Sequence, residues 1–246
     1  MEGAQPNISQ GVIRKLEIPL PPLEIQEQIV VELNGYAGII AGAKQIVSKW
    51  KPIIDIDPKW ENKTVSEIAK LEYGIGEAAQ DSGEYRYVRI TDIGENGEIK
   101  NTDKKYINET EESKKYLLKR GDVLVARTGA TFGKTMYFDG DEKSAFAGFL
   151  IRFNFDEDRI LSKYYWCFTQ SENYWEQAKS FMTGGGQPQF NANAVGKIVV
   201  PLPPLATQKQ IVEKIEAERA LVESAKKLIT IYEQKTKETI SKLWEE

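Results

Sequence analysis

Apolar residues recur along two stretches of this chain with the spacing of a helical seam. In the first, Ile25, Ile29, Leu33, Tyr36, Ile40, Ala43, Val47 and Trp50 follow one another in steps of three and four. That heptad-like spacing keeps one stripe on one side of a helix and predicts a long helix over Leu23–Lys49. In the second, Ile211, Ile215, Val222, Ala225, Ile229 and Tyr232 lead on to Thr236, Ile240 and Leu243. The two stretches belong to copies of one repeat. Residues 5–33 read QPNISQGVIRKLEIPLPPLEIQEQIVVEL, and residues 187–215 read QPQFNANAVGKIVVPLPPLATQKQIVEKI, ungapped at a constant offset of 182 positions. A repeat of this length frames the fold before any single element does. In each copy a strand-like run (Val12–Ile18; Lys197–Val200) meets the sequence PLPP. Proline fixes φ and holds its predecessor extended, so the box interrupts any helix and a new one starts after it. Two helices built from the same seam predict a paired coiled coil.

The pattern changes between the helices. Pro52 ends the first, and Asp55–Trp60 reads as a linker into a new domain whose edge Trp60 plugs. Thr64 followed by Glu67 is a capping box, which predicts a short helix over Thr64–Leu71. A loop, Tyr73-Gly-Ile-Gly76, follows. Strand signals then dominate: Tyr85–Ile90, part of Tyr106–Leu118, Asp122–Ala126, Lys134–Phe138 and Phe146–Phe155. Leu161–Lys179 predicts a helix that packs aromatic residues. The fold class is therefore α+β: one mixed α/β domain flanked by two long helices. The divisions are 1–22, the end of a preceding unit that repeats 183–204; 23–52, the first helix; 53–200, the domain; and 201–246, the second helix. Gly35, Gly38 and Gly42 share one face of the first helix. Each costs about 1 kcal/mol relative to alanine there, so their spacing predicts close approach by another helix.

Composition narrows the chemistry. The 246 residues contain no histidine and a single cysteine, Cys167. This removes histidine general bases, histidine metal sites and any intramolecular disulfide, and a cytoplasmic setting fits. No apolar run reaches the roughly 18 residues of a membrane span. The net charge is −4, and Asp55–Val200 holds the whole excess, with 20 basic against 24 acidic side chains. The isolated chain is expected to bind nucleic acid weakly.

Arg127–Thr135 reads RTGATFGKT after a strand and tempts a phosphate-loop reading. That motif needs four residues between its glycines, and Gly129 and Gly133 enclose three. A structural turn and a loop that projects Arg127, Thr128, Thr131 and Lys134 towards nucleic acid remain as readings. Both Pro-Pro pairs lie within PLPPL, so the amino-methyltransferase motif is absent as well. The carboxylates Asp139, Asp141 and Glu142, and Asp156, Glu157 and Asp158, lie in turn-like surroundings and read as solvated.

Three motifs, taken together with the paired PLPPL boxes, carry a family resemblance. They are YRYVRITDI (Tyr85–Ile93), LLKRGDVLVARTGATFGK (Leu117–Lys134) and GGGQPQFN ahead of the second box. Over nearly the whole chain the sequence resembles the specificity (S) subunits of type I restriction-modification systems, with one target recognition domain where a full subunit has two. The resemblance implies an antiparallel coiled coil. It implies that the domain reads one half of a bipartite site in double-stranded DNA. It further implies methylating (M) subunits as partners, restriction (R) subunits joined through them, no catalytic activity and no cofactor or metal. A chain with one recognition domain is expected to supply the second as a homodimer. The expected DNA-binding residues are Tyr73, Gly76, Arg89, Arg127, Thr128, Thr131, Lys134, Gly185 and Gln187. Nucleotide-dependent catalysis and a coiled-coil adaptor without a DNA role are the competing readings.

Overall fold

A computed structural model describes residues 9–94, 96–182 and 189–244. The chain forms two units, Lys51–Glu218 and a second made of Met1–Trp50 with Arg219–Glu246.

The Lys51–Glu218 unit holds three small sheets. β1 (Glu61–Thr64) pairs antiparallel with β9 (Val199–Leu202). β2 (Ala69–Tyr73), β8 (Leu150–Phe155), β5 (Val123–Ala126) and β6 (Thr135–Tyr137) form an antiparallel sheet in the order β2-β8-β5-β6. β3 (Tyr85–Val88) lies between β4 (Tyr106–Ile107) and a parallel neighbour, β7 (Ser144–Phe146). Val88, Ile93, Leu124, Ala126, Met136, Phe138, Phe146 and Leu150 form one buried cluster that ties the last two sheets together. α4 (Ser162–Thr169) lays Tyr165 against Phe153 and Phe155, with ring centroids 4.7 and 5.0 Å away. Arg152 on β8 bridges Glu72 on β2 at 2.6 Å and Asp122, just ahead of β5, at 3.3 Å, so its buried charge is matched on both sides.

Several elements differ from the sequence expectation. The capping box is real: the Glu67 carboxylate accepts from the Thr64 amide and hydroxyl, both at 2.8 Å. The helix it starts, α3 (Val65–Ile68), lasts one turn, because Ala69–Tyr73 is taken up by the β8 ladder. Phe146–Phe155 is two strands on two sheets, β7 and β8, separated at Ala147-Gly148-Phe149. Leu161–Lys179 is two helices, α4 and α5 (Glu172–Ser180), because the Ser171 hydroxyl caps a fresh N-terminus. A short helix, α6 (Ala192–Gly196), precedes β9. Val12–Ile18 is not a strand. A helical turn, α1 (Gln10–Ile13), occupies part of it, and the remainder has no ladder partner among the described residues.

In the second unit, α2 (Leu23–Lys49) spans the residues its seam predicts. α7 (Leu205–Ser241) begins in the first unit and is about 55 Å long at 1.5 Å per residue. On α2 the sheltered positions are Ile29, Leu33, Tyr36, Ile40, Ala43, Val47 and Trp50; on α7 beyond residue 219 they include Val222, Ala225, Ile229, Tyr232 and Thr236. Tyr36 meets Tyr232 at 5.3 Å, Lys44 pairs with Glu233 at 2.8 Å, and the Arg219 guanidinium lies 5.3 Å from the Trp50 ring. Tyr36 with Tyr232 and Trp50 with Arg219 run in opposite chain directions, so the coiled coil is antiparallel. Two seam assignments shift: Ile25 and Ile240 are exposed, and Gln26 and Thr239 take the sheltered positions. Among the described residues, Gly35, Gly38 and Gly42 approach no other helix. A Cβ built at each meets nothing within 4 Å, because α2 uses its other face against α7.

Candidate nucleic-acid interface

The antiparallel order β2-β8-β5 brings the C-terminal ends of β2 and β5 and the N-terminal end of β8 to one edge of the sheet. The residues there are Tyr73, Arg127 and Phe149. Backbone bonds lock them together: the Gly74 amide donates to Leu150 at 3.2 Å, and that of Arg127 to Phe149 at 3.0 Å. A Cβ at Gly74 would collide with the carbonyls of Phe146 and Ala147, so only glycine lets the strand ends come this close.

Arg127 sits between two rings. Its Cζ is 5.1 Å from the Tyr73 centroid and 5.5 Å from that of Phe149. Both rings are exposed, and the buried Nε of Arg127 has no hydrogen-bond partner among the described residues. The segment leading to α6 closes over the same edge. The Phe190 backbone amide donates to Arg127 O at 2.7 Å, the Gln189 side-chain Nε2 to Thr128 Oγ1 at 3.3 Å, and the Ala192 backbone amide to the Tyr73 hydroxyl at 2.9 Å. An arginine on aromatic faces keeps its planar fork oriented.

The loop after Arg127 is a turn. Gly129 and Gly133 have φ of 71° and 74°, the Tyr174 hydroxyl donates to Gly133 O at 2.7 Å, and Phe132 packs edge-on against Trp175 and Phe190. A strand, β6, follows it, whereas a phosphate-binding loop leads into a helix N-terminus. Thr131 lies in this turn, with a buried hydroxyl that lacks a hydrogen-bond partner among the described residues. Lys134 leaves the turn half-buried, and Gly76 is exposed with open space above it.

Tyr73, Arg127 and Thr128 thus come together. Arg89 is engaged elsewhere, with Asp92 at 3.1 Å and Asp103 at 3.3 Å, and hydrogen bonding to Asp92 raises its already high pKa. Gly185 and Gln187 lie outside the described residues. Sequence reasoning missed Phe149 and Gln189. Phe149 was hidden inside what read as one continuous strand, though Gly148 beside it is a break signal. Among the described residues no group of His, Cys, Asp and Glu could hold a metal, and no helix is long and apolar enough to cross a membrane.

A family model described as the type I restriction modification DNA specificity domain matches residues 1–46 and 58–231. The type I restriction enzyme MjaVIII specificity subunit of Methanocaldococcus jannaschii is 22% identical, over 90% of this chain and 60% of its own. A putative type I restriction enzyme specificity subunit of Haemophilus influenzae is 25% identical, over 88% of this chain and 59% of its own. Among solved structures, the HsdS subunit from Thermoanaerobacter tengcongensis matches with a TM-score of 0.54 and 17% identity, covering 99% of this chain and 64% of that one. A chain from a study of complex assembly in the type I R-M system matches at 0.59 and 16%, covering 91% and 60%. This chain therefore spans about 60% of the length of the curated relatives it matches. The structural likenesses establish a shared α+β fold.

Proposed function

Since the chain belongs to the family of type I restriction modification DNA specificity domains, we propose that it gives a type I restriction-modification complex its DNA sequence specificity. In this reading the Lys51–Glu218 unit reads one half of a bipartite site in double-stranded DNA, in the cytoplasm. The helix pair scaffolds the methylating subunits, through which restriction subunits join. Methylation and cleavage belong to those partners, and this chain supplies no catalytic group.

The observation that carries the reading is Arg127 clamped between Tyr73 and Phe149, with Thr128 and Gln189 alongside. A guanidinium fork suits the O6 and N7 of guanine, and neighbouring hydroxyl and amide groups suit base edges or phosphates. Thr131, Lys134, Gly76, Gly185 and Gln187 complete the proposed surface; Arg89 serves it by holding the backbone after β3. A unit with excess negative charge gains little from phosphates on its own, so affinity arises in the complex. The test is selection of bound DNA by the complex reconstituted with a methylating subunit. One enriched half-site is expected, and unselective binding would refute the reading.

A bipartite site needs two recognition units. Acting on its own, the chain supplies them as a homodimer, whose helices meet on the open face carrying Gly35, Gly38 and Gly42. Sedimentation equilibrium should then show a dimer at micromolar concentration, and the methylated site should be an inverted repeat. A monomer together with an asymmetric site defeats that arrangement.

A further inference from the structure

Tyr73 brings a second polar group to the sheet edge besides the ring that flanks Arg127. Its backbone is fixed: Tyr73 faces Ile151 in the β2–β8 ladder, and the Gly74 amide donates to Leu150 O at 3.2 Å. Its ring lies 5.1 Å from the Arg127 guanidinium and stays 40% exposed. Its hydroxyl is fixed as well. The oxygen accepts at 2.9 Å from the backbone amide of Ala192, the first residue of α6, where helical N–H groups have no partner of their own.

That bond decides which way the hydroxyl works. A phenol has one hydrogen to give and lone pairs to receive with. With the Ala192 N–H on the oxygen, the hydroxyl hydrogen lies away from that amide, and no group among the described residues accepts it. Tyr87 is the contrast. Its hydroxyl accepts from the Glu77 amide at 3.2 Å and also donates to Ile75 O at 2.6 Å, so both functions are used within the fold. The Tyr164 and Tyr174 hydroxyls donate to Pro201 O and Gly133 O. Tyr73 thus presents an oriented donor beside a guanidinium, a group that has donors only. The hydroxyl of Thr128, next in the chain after Arg127, likewise accepts from the Gln189 side chain. An edge of donors selects a ligand edge of acceptors.

We propose that the Tyr73 hydroxyl reads the N7 of a purine adjacent, on the same strand, to the guanine held by Arg127. This deepens the specificity reading of the same site and rests on it. In the major groove guanine and adenine both present N7 as an acceptor, whereas cytosine presents its N4 donor. The neighbouring base lies about 3.4 Å along the strand, within reach of a ring held 5.1 Å from the guanidinium. In consecutive purines the N7 atoms follow one another along one side of the groove, so a donor tied to Arg127 meets the second without a lateral shift. Thymine O4 lies further towards the middle of the groove. A cytosine in that place sets its amino group against the hydroxyl hydrogen and leaves both donors unmet. The half-site therefore contains a guanine beside a second purine.

The test uses the complex reconstituted with a methylating subunit and the half-site it selects. The guanine is the position at which Arg127→Ala relaxes selectivity, and a purine is expected beside it. Replacing that purine by its 7-deaza analogue exchanges only N7 for C–H. Binding by the native chain should weaken about fivefold, the effect of one hydrogen bond. Tyr73→Phe keeps the ring and removes the hydroxyl. It should weaken binding of unmodified DNA by about the same factor and show no further loss with the 7-deaza purine, because both changes remove one interaction. Losses that multiply overturn the proposal, since the hydroxyl would then act only within the protein, through Ala192. So does a pyrimidine on both sides of the guanine. Full-strength binding of the 7-deaza site by the native chain overturns it too, and that result needs no variant. If the loss in Tyr73→Phe disappears instead on DNA with a methylphosphonate at a flanking phosphate, the hydroxyl contacts the backbone and the proposal is again overturned. Each of these results leaves an enriched half-site, and with it the specificity reading, standing. Unselective binding removes that reading and the proposal together.

Discussion

Replacing Gln208 with alanine should destabilise the recognition unit far more than the same change at its repeat partner, Gln26. Gln208 is fully buried and makes three hydrogen bonds, all to main-chain groups. Removing it leaves the Leu161 amide and the Arg159 and Pro203 carbonyls without their partner. At about 1 kcal/mol for each bond the loss is about 3 kcal/mol. Gln26 makes one such bond, at a half-exposed position where water replaces the lost group. Its loss should stay below about 0.5 kcal/mol. The assay is urea unfolding of the purified chain, followed by tryptophan fluorescence and far-UV circular dichroism. With a slope near 2 kcal/mol per molar urea, Gln208→Ala moves the midpoint down by about 1.5 M and Gln26→Ala by less than about 0.3 M. Equal shifts would refute the reasoning, since they would mean that the two copies hold their glutamines in equivalent surroundings.

The long helices were legible because each depends on local spacing. α2 follows from steps of three and four, and the seam shifts by one residue only near the helix ends, where Gln26 and Thr239 are sheltered in place of Ile25 and Ile240. The strands were legible where apolar runs were short and bounded, as at β5. They were misread where a tertiary ladder overrides a local signal, as at Ala69–Tyr73 after a genuine capping box. Residues 17–20 show the converse: they match Val199–Leu202 at the repeat offset yet form no strand among the described residues. At the candidate site, Arg127 and Tyr73 could be named from their loops. Their convergence with Phe149 depends on the β2-β8-β5 order, which no local pattern encodes.

Arg127→Ala, in the complex reconstituted with a methylating subunit, should weaken binding of the preferred site by about 1–3 kcal/mol and relax selectivity at one position. Lys134→Ala should weaken all sequences alike, and if neither substitution alters affinity or preference, the loop is not part of the reading surface. Phe149→Ala should lower selectivity at the same position as Arg127→Ala, because the ring holds the guanidinium; an effect at a different position would separate the two side chains. Gly74→Ala should destabilise the recognition unit by about 3 kcal/mol in urea unfolding, since its Cβ meets backbone that cannot move aside, and a neutral result would contradict the close approach. The Thr64 amide and hydroxyl hold the Glu67 carboxyl below the ordinary glutamate range. A depressed folded value means that the stability from this cap is present above the ordinary value and lost as pH falls through the lowered one. The stability gap between the native chain and Glu67→Gln should therefore close on acidification, and a gap that widens would overturn the assignment.

The most direct test of the central claim is to map methylated bases in DNA from cells carrying this chain and a methylating partner, before and after Lys51–Glu218 is exchanged for the corresponding unit of a relative. The account predicts a bipartite methylated site in which the half-site read by that unit changes with the exchange. Methylation that keeps the same sequence after the exchange would contradict it, because specificity would then reside outside the unit that holds Tyr73, Arg127 and Phe149.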